Sequence, residues 1–587
     1  MKSYLKNILL VVVMSSWLTN ARPQDSNWVE TALATMTLEE KVGQVFVADL
    51  VAVYSHQQSP NFLYAQEMVR RYHIGAFILA GGSVTDIALM TNALQRASKI
   101  PLLINADLES GLGFAHPWPW LRGRGPELPK YIHGGGTAFT SRMAIGATGN
   151  SQYAYELGRI TAREARAVGI HWTNSPVADV NNNPNNPIIN TRSFGENPAQ
   201  VAKFVEAYVR GAQENKVIAT LKHFPGHGDT EEDTHMGLPL LPFEAKRLHT
   251  IELVPFKAGI AAGAKAVMTA HLALPKLDST NRPATLSYPI MTELLRRQLG
   301  FQGLIVTDGM TMQGITDHYR ADEAAILAIL AGADAILVPA DFAKAFAGVL
   351  AAAQSGRISA KRLDESVRRI LSAKSWLGLE HSRFVEVEKI SREVGAPESE
   401  ALAEKIAEAS VTLLRNQNQL LPLSKKSRLR IIAVTEEPHA EVGRELEQIL
   451  QSPLTAVALS RLSNATGRER LHETLAQCRD AEVILLGIHL AIGAWKGKAD
   501  FSQELQEFFA QLAALSKPVI TVAFGDPYVL AKLPTTEVMI TSYAGGLIGE
   551  REIGKAVLGQ ITITGKLPVT IPGKYKIGEG MHLNKIF

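Results

Sequence analysis

The chain is almost without cysteine. Cys478 is the only one in 587 residues, so no intrachain disulfide can form and a lipid thioether has no candidate near the N-terminus. A dominant charge is missing too. The 60 basic and 57 acidic side chains leave a formal balance of +3, too slight to argue for nucleic acid or an anionic membrane as main partner. No tract is of low complexity, no period repeats, and no apolar run reaches the roughly 20 residues of a spanning helix. Together these absences exclude a disulfide-stapled scaffold, a disordered tail protein, a solenoid and a membrane bundle.

What is present is globular composition, with 46% hydrophobic and 20% charged residues and length enough for two large domains. At the start, Lys2 and Lys6 precede the apolar run 8–14, and Thr19-Asn20-Ala21 offers small residues for cleavage. That layout predicts a secretory signal peptide over 1–21, hence an exported protein, periplasmic or extracellular, whose mature chain has no membrane span.

Eight short apolar runs follow, at 45–48, 75–79, 101–105, 170–174, 217–221, 266–270, 303–307 and 334–338, separated by amphipathic stretches. Runs that are continuously apolar predict strands buried on both faces, as in a (β/α)8 TIM-type barrel over 22–345; a doubly wound open sheet is the alternative. Residues 346–410 read as a helical linker, and runs at 430–434, 483–487, 519–523 and 538–542 predict a second α/β unit over 411–587. That unit lacks a GxGxxG or phosphate-binding loop, so no cofactor is expected there.

In such a barrel, chemistry belongs at the carboxyl ends of the strands. Polar residues stand there: Asp107 and Glu109 after the third run, Asp179 after the fourth, Lys222 and His223 after the fifth, His271 after the sixth and Asp308 after the seventh. The stretch 222–235 packs histidines and acids between Pro225, Gly226 and Gly228, a loop built to present polar groups. Asp233 and His235 share a face if that segment is extended, and a carboxylate beside an imidazole raises its basicity and fixes its tautomer. A metal site from His223, His227 and His235 is an alternative, although no compact ligand spacing is present. Asp308, followed by Gly309, is a reasonable station for a nucleophile attacking an anomeric carbon.

The motifs Asn182-Asn-Pro-Asn-Asn-Pro187, Asn190-Thr-Arg-Ser-Phe-Gly195, Lys222-His-Phe-Pro-Gly-His-Gly-Asp229, Asp233-Thr-His235, Val267-Met-Thr-Ala-His271 and Val306-Thr-Asp-Gly-Met310 resemble, in this order, the bacterial β-N-acetylglucosaminidases of glycoside hydrolase family 3. Val411-Thr-Leu-Leu-Arg415, Leu420-Leu-Pro-Leu423 and Gly565-Lys-Leu-Pro-Val569 resemble that family's C-terminal α/β sandwich domain. The resemblance implies an exo-acting, retaining β-N-acetylhexosaminidase that removes terminal GlcNAc from peptidoglycan fragments or chitooligosaccharides, with no metal or other cofactor. It implies Asp308 as nucleophile and His235, oriented by Asp233, as general acid and base. Arg192, Lys222 and His223 would bind sugar hydroxyls, and Asp107 would hold the nonreducing end.

One corner departs from the family. Members usually read Asp-Gln-Glu-Gly-Gly, with arginines five and eight residues past the aspartate; here those places are Leu112 and Ala115. Arg122 or Arg124 could substitute, and Trp118 and Trp120 either face sugar or pack the insertion. Alternative activities are a β-glucosidase or a GlcNAc phosphorylase of the same family. From other classes come a metal-dependent hydrolase, abolished by chelator, and a sugar-binding protein, expected to lack Asp308 or His235.

Overall fold

The computed structural model describes residues 26–53, 56, 58–113, 132–133, 135–424, 426–436, 438, 441–490 and 500–586. The expected signal peptide, Ala115, Trp118, Trp120, Arg122 and Arg124 lie outside them. Every one of the eight apolar runs overlaps a strand: β1 (Phe46–Ala52), β2 (Ala76–Ser83), β3 (Leu103–Ala106), β4 (Trp172–Thr173), β5 (Ile218–Phe224), β6 (Ala266–Thr269), β7 (Leu304–Val306) and β8 (Ile336–Leu337). All pair in parallel in the order β7-β6-β5-β4-β3-β2-β1-β8, and a parallel bridge from Val306 to Ala335 joins the two ends. The sheet is therefore a barrel and not an open wound sheet. A two-residue strand, Ile132–His133, pairs on the end of β2.

Burial explains why the runs read as continuous. Every residue of β1 and β5 is buried, because one face fills the barrel and the other carries helices. Those helices begin where local chemistry tells them to. Thr37 and Glu40 form a reciprocal capping box on the helix Leu38–Gln44, and Asn197 caps the helix Pro198–Glu214 with Pro198 in its first turn.

The stretch read as a linker holds more structure than a connector needs. Two of its helices, Phe342–Gln354 and Ala360–Trp376, send Phe346, Val349, Val367 and Ile370 into the barrel's own hydrophobic core, so that core extends past residue 345. Only then does the chain cross, through the helix Pro397–Ser410, to the second unit.

That unit is a six-stranded sheet with helices on both faces: β9 (Thr412–Asn416), β10 (Arg428–Thr435), β11 (Ala456–Ser463), β12 (Val483–Leu490), β13 (Val519–Gly525) and β14 (Val538–Thr541), in the order β9-β14-β13-β12-β10-β11. Only β9 runs antiparallel. Two apolar clusters cover its faces, and one of them takes in Met143, Ala144 and Ala147 of the barrel. Among the described residues no helix is long and apolar enough to cross a membrane.

The two units are stitched along one seam. Asn181 Nδ2 donates to the Tyr528 hydroxyl (2.8 Å), and the Thr570 amide and hydroxyl donate to the Glu196 carboxylate at 2.7 and 2.6 Å. Asp526 accepts from the Asn190 side chain. Gly195 has φ +147°, and a Cβ there would sit 2.6 Å from the Pro568 carbonyl oxygen, so the seam requires glycine. Every barrel residue in these contacts lies just before or after Arg192 in sequence.

Candidate active site

The site begins with one buried carboxylate. Glu109, two residues past Asp107 at the end of β3, is almost fully buried and is met by three cations. Lys222 Nζ lies 2.8 Å from its Oε1, Arg192 forks onto both oxygens at 3.1 and 2.8 Å, and Arg142 Nη2 reaches Oε2 at 2.7 Å. Lys222 also touches Asp107 Oδ1 at 3.2 Å. Such a carboxylate is worth its desolvation only because every lone pair is filled. Burial alone would lower the Lys222 and Arg192 values; the carboxylates of Asp107 and Glu109 outweigh it and hold both groups charged. For Arg142 burial wins, and its value is lowered despite Glu109.

Arg142 answers the departure noted in the sequence. Leu112 is fully buried, and the positive charge in this corner arrives from the helix Arg142–Ala147, whose N-cap is Ser141. Arg142 further hydrogen-bonds the Ser110 hydroxyl and the Arg192 carbonyl.

A second knot fixes the loop after β5. His223 donates Nδ1–H to Asp179 Oδ2 at 2.7 Å, and the His223 and His227 amides donate to Oδ1 at 3.1 and 2.7 Å. Burial would raise Asp179, but the facing histidines and amides hold it below the usual carboxylate value. Gly228 is needed here, since a Cβ would lie 1.7 Å from the Val180 carbonyl oxygen. His227 pairs its ring nitrogens with Thr230 (2.9 Å) and Thr234 (3.1 Å), and burial pushes it down to about 4.

His235 follows on the same loop, half-buried, with Nδ1 2.6 Å from Asp233 Oδ1; the His235 amide donates to that oxygen at 3.0 Å. Asp233 is buried, while Met236 and Leu240, further along the same loop, are large apolar side chains 53% and 58% exposed. Asp308 stands across the mouth at the end of β7. Burial would raise its pKa, but the fields of His223, His271 and His235 and the Gly309 amide, 2.7 Å away, hold it at about 2, so it is ionised.

His271, at the end of β6, is the support behind Asp308. Its Nε2 faces the Gly309 carbonyl at 3.0 Å, which can only accept, so Nδ1 accepts from the Thr285 hydroxyl at 2.8 Å. Burial lowers its pKa, although the Asp308 charge opposes that shift. Gly309 itself is not demanded by packing, since the nearest protein atom to a Cβ there is 3.7 Å away.

The structure thus gathers Asp107, Arg192, Lys222, His223, Asp308, Asp233 and His235 around one barrel mouth. It does not gather a metal site: among the described residues no three His, Cys, Asp or Glu side chains are arranged to hold an ion, and His227 is committed to two threonines. Sequence reasoning assigned no role to Glu109, Asp179, His271 or Arg142. The first three carried a signal, because each stands just past an apolar run; Arg142 carried none, because it rides on a helix of the long insertion after β3.

The chain is 28% identical over 563 residues to a beta-N-acetylglucosaminidase/beta-glucosidase of Cellulomonas fimi, covering 92% of this chain and 95% of that one. Its fold is similar to the family 3 beta-N-acetylglucosaminidase of Paenibacillus sp. (TM-score 0.79, 31% identity, 91% of this chain and 99% of that one). It is also similar to a beta-glucoside phosphorylase (TM-score 0.80, 26% identity, 93% and 96%). The glycosyl hydrolase family 3 N terminal domain matches residues 37–373 and the family's C-terminal domain matches 411–583. A barrel ending in these carboxylates, these histidines and this second sheet belongs to glycoside hydrolase family 3, and the protein is a glycoside hydrolase.

Proposed function

We propose that the protein is an exo-acting, retaining β-N-acetylhexosaminidase that takes terminal β-linked GlcNAc from peptidoglycan fragments or chitooligosaccharides outside the cytoplasm. The observation that carries this reading is an Asp308 held ionised at the barrel mouth, opposite an imidazole already paired to Asp233. Asp308 attacks the anomeric carbon while His235, through Nε2–H, protonates the departing glycosidic oxygen; Asp233 stabilises the imidazolium through Nδ1–H. In the second step His235 takes a proton from water, which attacks the glycosyl ester and frees Asp308. Asp107, Arg192, Lys222 and His223 supply hydrogen bonds to sugar hydroxyls, with Glu109 and Asp179 holding them in place. The choice of GlcNAc rests on the Asp233-Thr-His235 pair and on what the relatives are named for.

A second reading, phosphorolysis, has its own support. Three cations, Arg142, Arg192 and Lys222, converge on Glu109, with Asp107 and Asp179 beside them, and a histidine acid/base does not repel an incoming phosphate.

Release of nitrophenol from the β-N-acetylglucosaminide and the β-glucoside, side by side, with and without phosphate and chelator, decides among these. Cleavage confined to the first and indifferent to both additives is expected. Phosphate stimulation with a sugar phosphate as product would replace hydrolysis by the second reading, and preference for the glucoside would overturn the GlcNAc assignment.

A further inference from the structure

The barrel has a second polar concavity, at the end opposite the site just described. His171 directly precedes β4, so it lies at the amino end of that strand, whereas Asp107 and Asp308 follow carboxyl ends and Lys222 lies in the carboxyl half of β5. Beside it, a cavity of about 210 Å3 opens between the last turn of the helix Gln152–Ala167 and residues 382–393, the segment that leads to the second domain. That is far more than the roughly 10–15 Å3 a single water needs.

The charges in this cavity do not cancel. Lys389 is paired with Glu386 at 2.7 Å, and Glu393 with Arg163 at 3.4 Å. Two guanidinium groups remain, Arg166 and Arg383, for which no carboxylate lies within ion-pair distance among the described residues. Arg383 hydrogen-bonds only backbone carbonyls, those of Ser98 (3.2 Å) and Gln95 (3.5 Å). Arg166 Nη1 is buried without any hydrogen-bond partner. A buried donor left unpaired costs free energy that a suitable acceptor would return. The last turn of a helix favours a positive charge there but gives Nη1 nothing to bond.

His171 adds a donor. The Ile104 amide donates to its Nδ1 at 3.3 Å, which leaves the ring proton on Nε2. Burial, and then the charges of Arg166 and Lys374, push its pKa well down, so the ring stays neutral within a positive field.

We propose that this amino-end cavity binds a small oxyanion of the phosphate class, held by Arg166, Arg383 and His171. A tetrahedral oxyanion offers Arg166 Nη1 the acceptor it lacks and supplies the missing negative charge, in a fork geometry that guanidinium groups match. Because Arg383 belongs to the connecting segment and Arg166 to a barrel helix, the bound anion clamps one to the other. Val385 is already tied to the Asn92 side chain by bonds of 2.8 and 2.9 Å, so the segment is in place before the anion arrives. The site is independent of which glycoside is cleaved at the other end.

The test is thermal melting of the full chain in increasing inorganic phosphate against chloride at matched ionic strength. A saturable rise in Tm is expected, since a ligand bound only by the folded state stabilises it. Arg166→Met and Arg383→Met should each weaken the apparent affinity at least about tenfold, and together abolish the response, while hydrolysis of an aryl glycoside stays within about twofold of wild type. If the double variant folds poorly, Arg166→Met alone decides, because that side chain makes no bond to lose. Asp308→Asn should keep the full phosphate response, which separates this site from phosphate at the catalytic mouth. A hexose phosphate in a parallel titration distinguishes sources: tighter binding than phosphate assigns the site to a phosphate monoester, equal or weaker binding to the free ion. No saturable shift in the wild type, or an undiminished shift in both single variants, overturns the proposal.

Discussion

The two halves of the barrel mouth are built differently. On one side Glu109 is buried and saturated by Arg142, Arg192 and Lys222, which come from three separate parts of the chain. On the other, His235 is half-buried on a loop tied to the short helix Gln313–Thr316 beyond Asp308 by two long backbone bonds, Gly314 amide to Thr234 carbonyl (3.3 Å) and Gln313 amide to His235 carbonyl (3.4 Å). The half proposed to bind sugar is already fixed by these ion pairs. The half proposed to transfer protons has fewer ties to its surroundings, and its exposed Met236 and Leu240 have apolar surface to bury if it closes.

Four experiments break or sharpen this contrast. The largest effect belongs to Asp308, which both halves serve: Asp308→Asn should lower turnover by more than about 10^4-fold on good and poor leaving groups alike. Steady-state rates on two aryl glycosides check this, and substantial residual activity would move the nucleophile elsewhere. Next comes the rigid half. Glu109→Ala leaves three cations facing one another in low dielectric, and the expected cost is about 3–5 kcal/mol in denaturant unfolding. A loss below about 1 kcal/mol would mean that the corner is not preset by this carboxylate.

His235→Ala should hardly change the melting temperature. It should cut the rate on poor leaving groups by about 10^2–10^4-fold and spare activated aryl glycosides, because only the former need a proton. Equal losses on both would make His235 a structural residue. The smallest effect concerns acid. His227 has its folded value near 4 against an ordinary value of 6.5, so the unfolded chain binds the extra proton between those values. Its stabilising contribution is complete above pH 6.5 and is lost as pH falls toward 4, a change of about 1–3 kcal/mol at most. Because His227 holds Thr230 and Thr234, amide exchange over 230–236 should quicken across that window before the Glu109 corner responds. His227→Gln should flatten the dependence; an unchanged profile would detach His227 from the loop's stability.

The sequence made the barrel legible because each of its strands is buried on both faces, so periodicity and burial tell the same story. Legibility faded where that condition fails. β11 has only three buried residues of eight, at an exposed edge of the second sheet, and it gave no apolar run. The helices after β8 resemble a linker in sequence because they are charged outside, although Val367, Ile370 and Leu371 face the core. At the site, residues directly past strand ends could be read from position alone. Arg142 could not, because its contact with Glu109 spans a long insertion with no spacing rule, and the structural parts played by Asp179 and His271 emerge only from their hydrogen bonds.

The seam between the domains limits how the molecule can be taken apart. Asn181, Asn190, Gly195 and Glu196 all meet the second sheet's loops, and Arg192 sits in their midst. A shortened gene ending at residue 410 would leave those polar groups without their counterparts, on the very turn that carries the Arg192 guanidinium to Glu109. The second sheet is thus part of the tool and not its handle, and exchanging it between relatives will succeed only when the 181–196 loop travels with it.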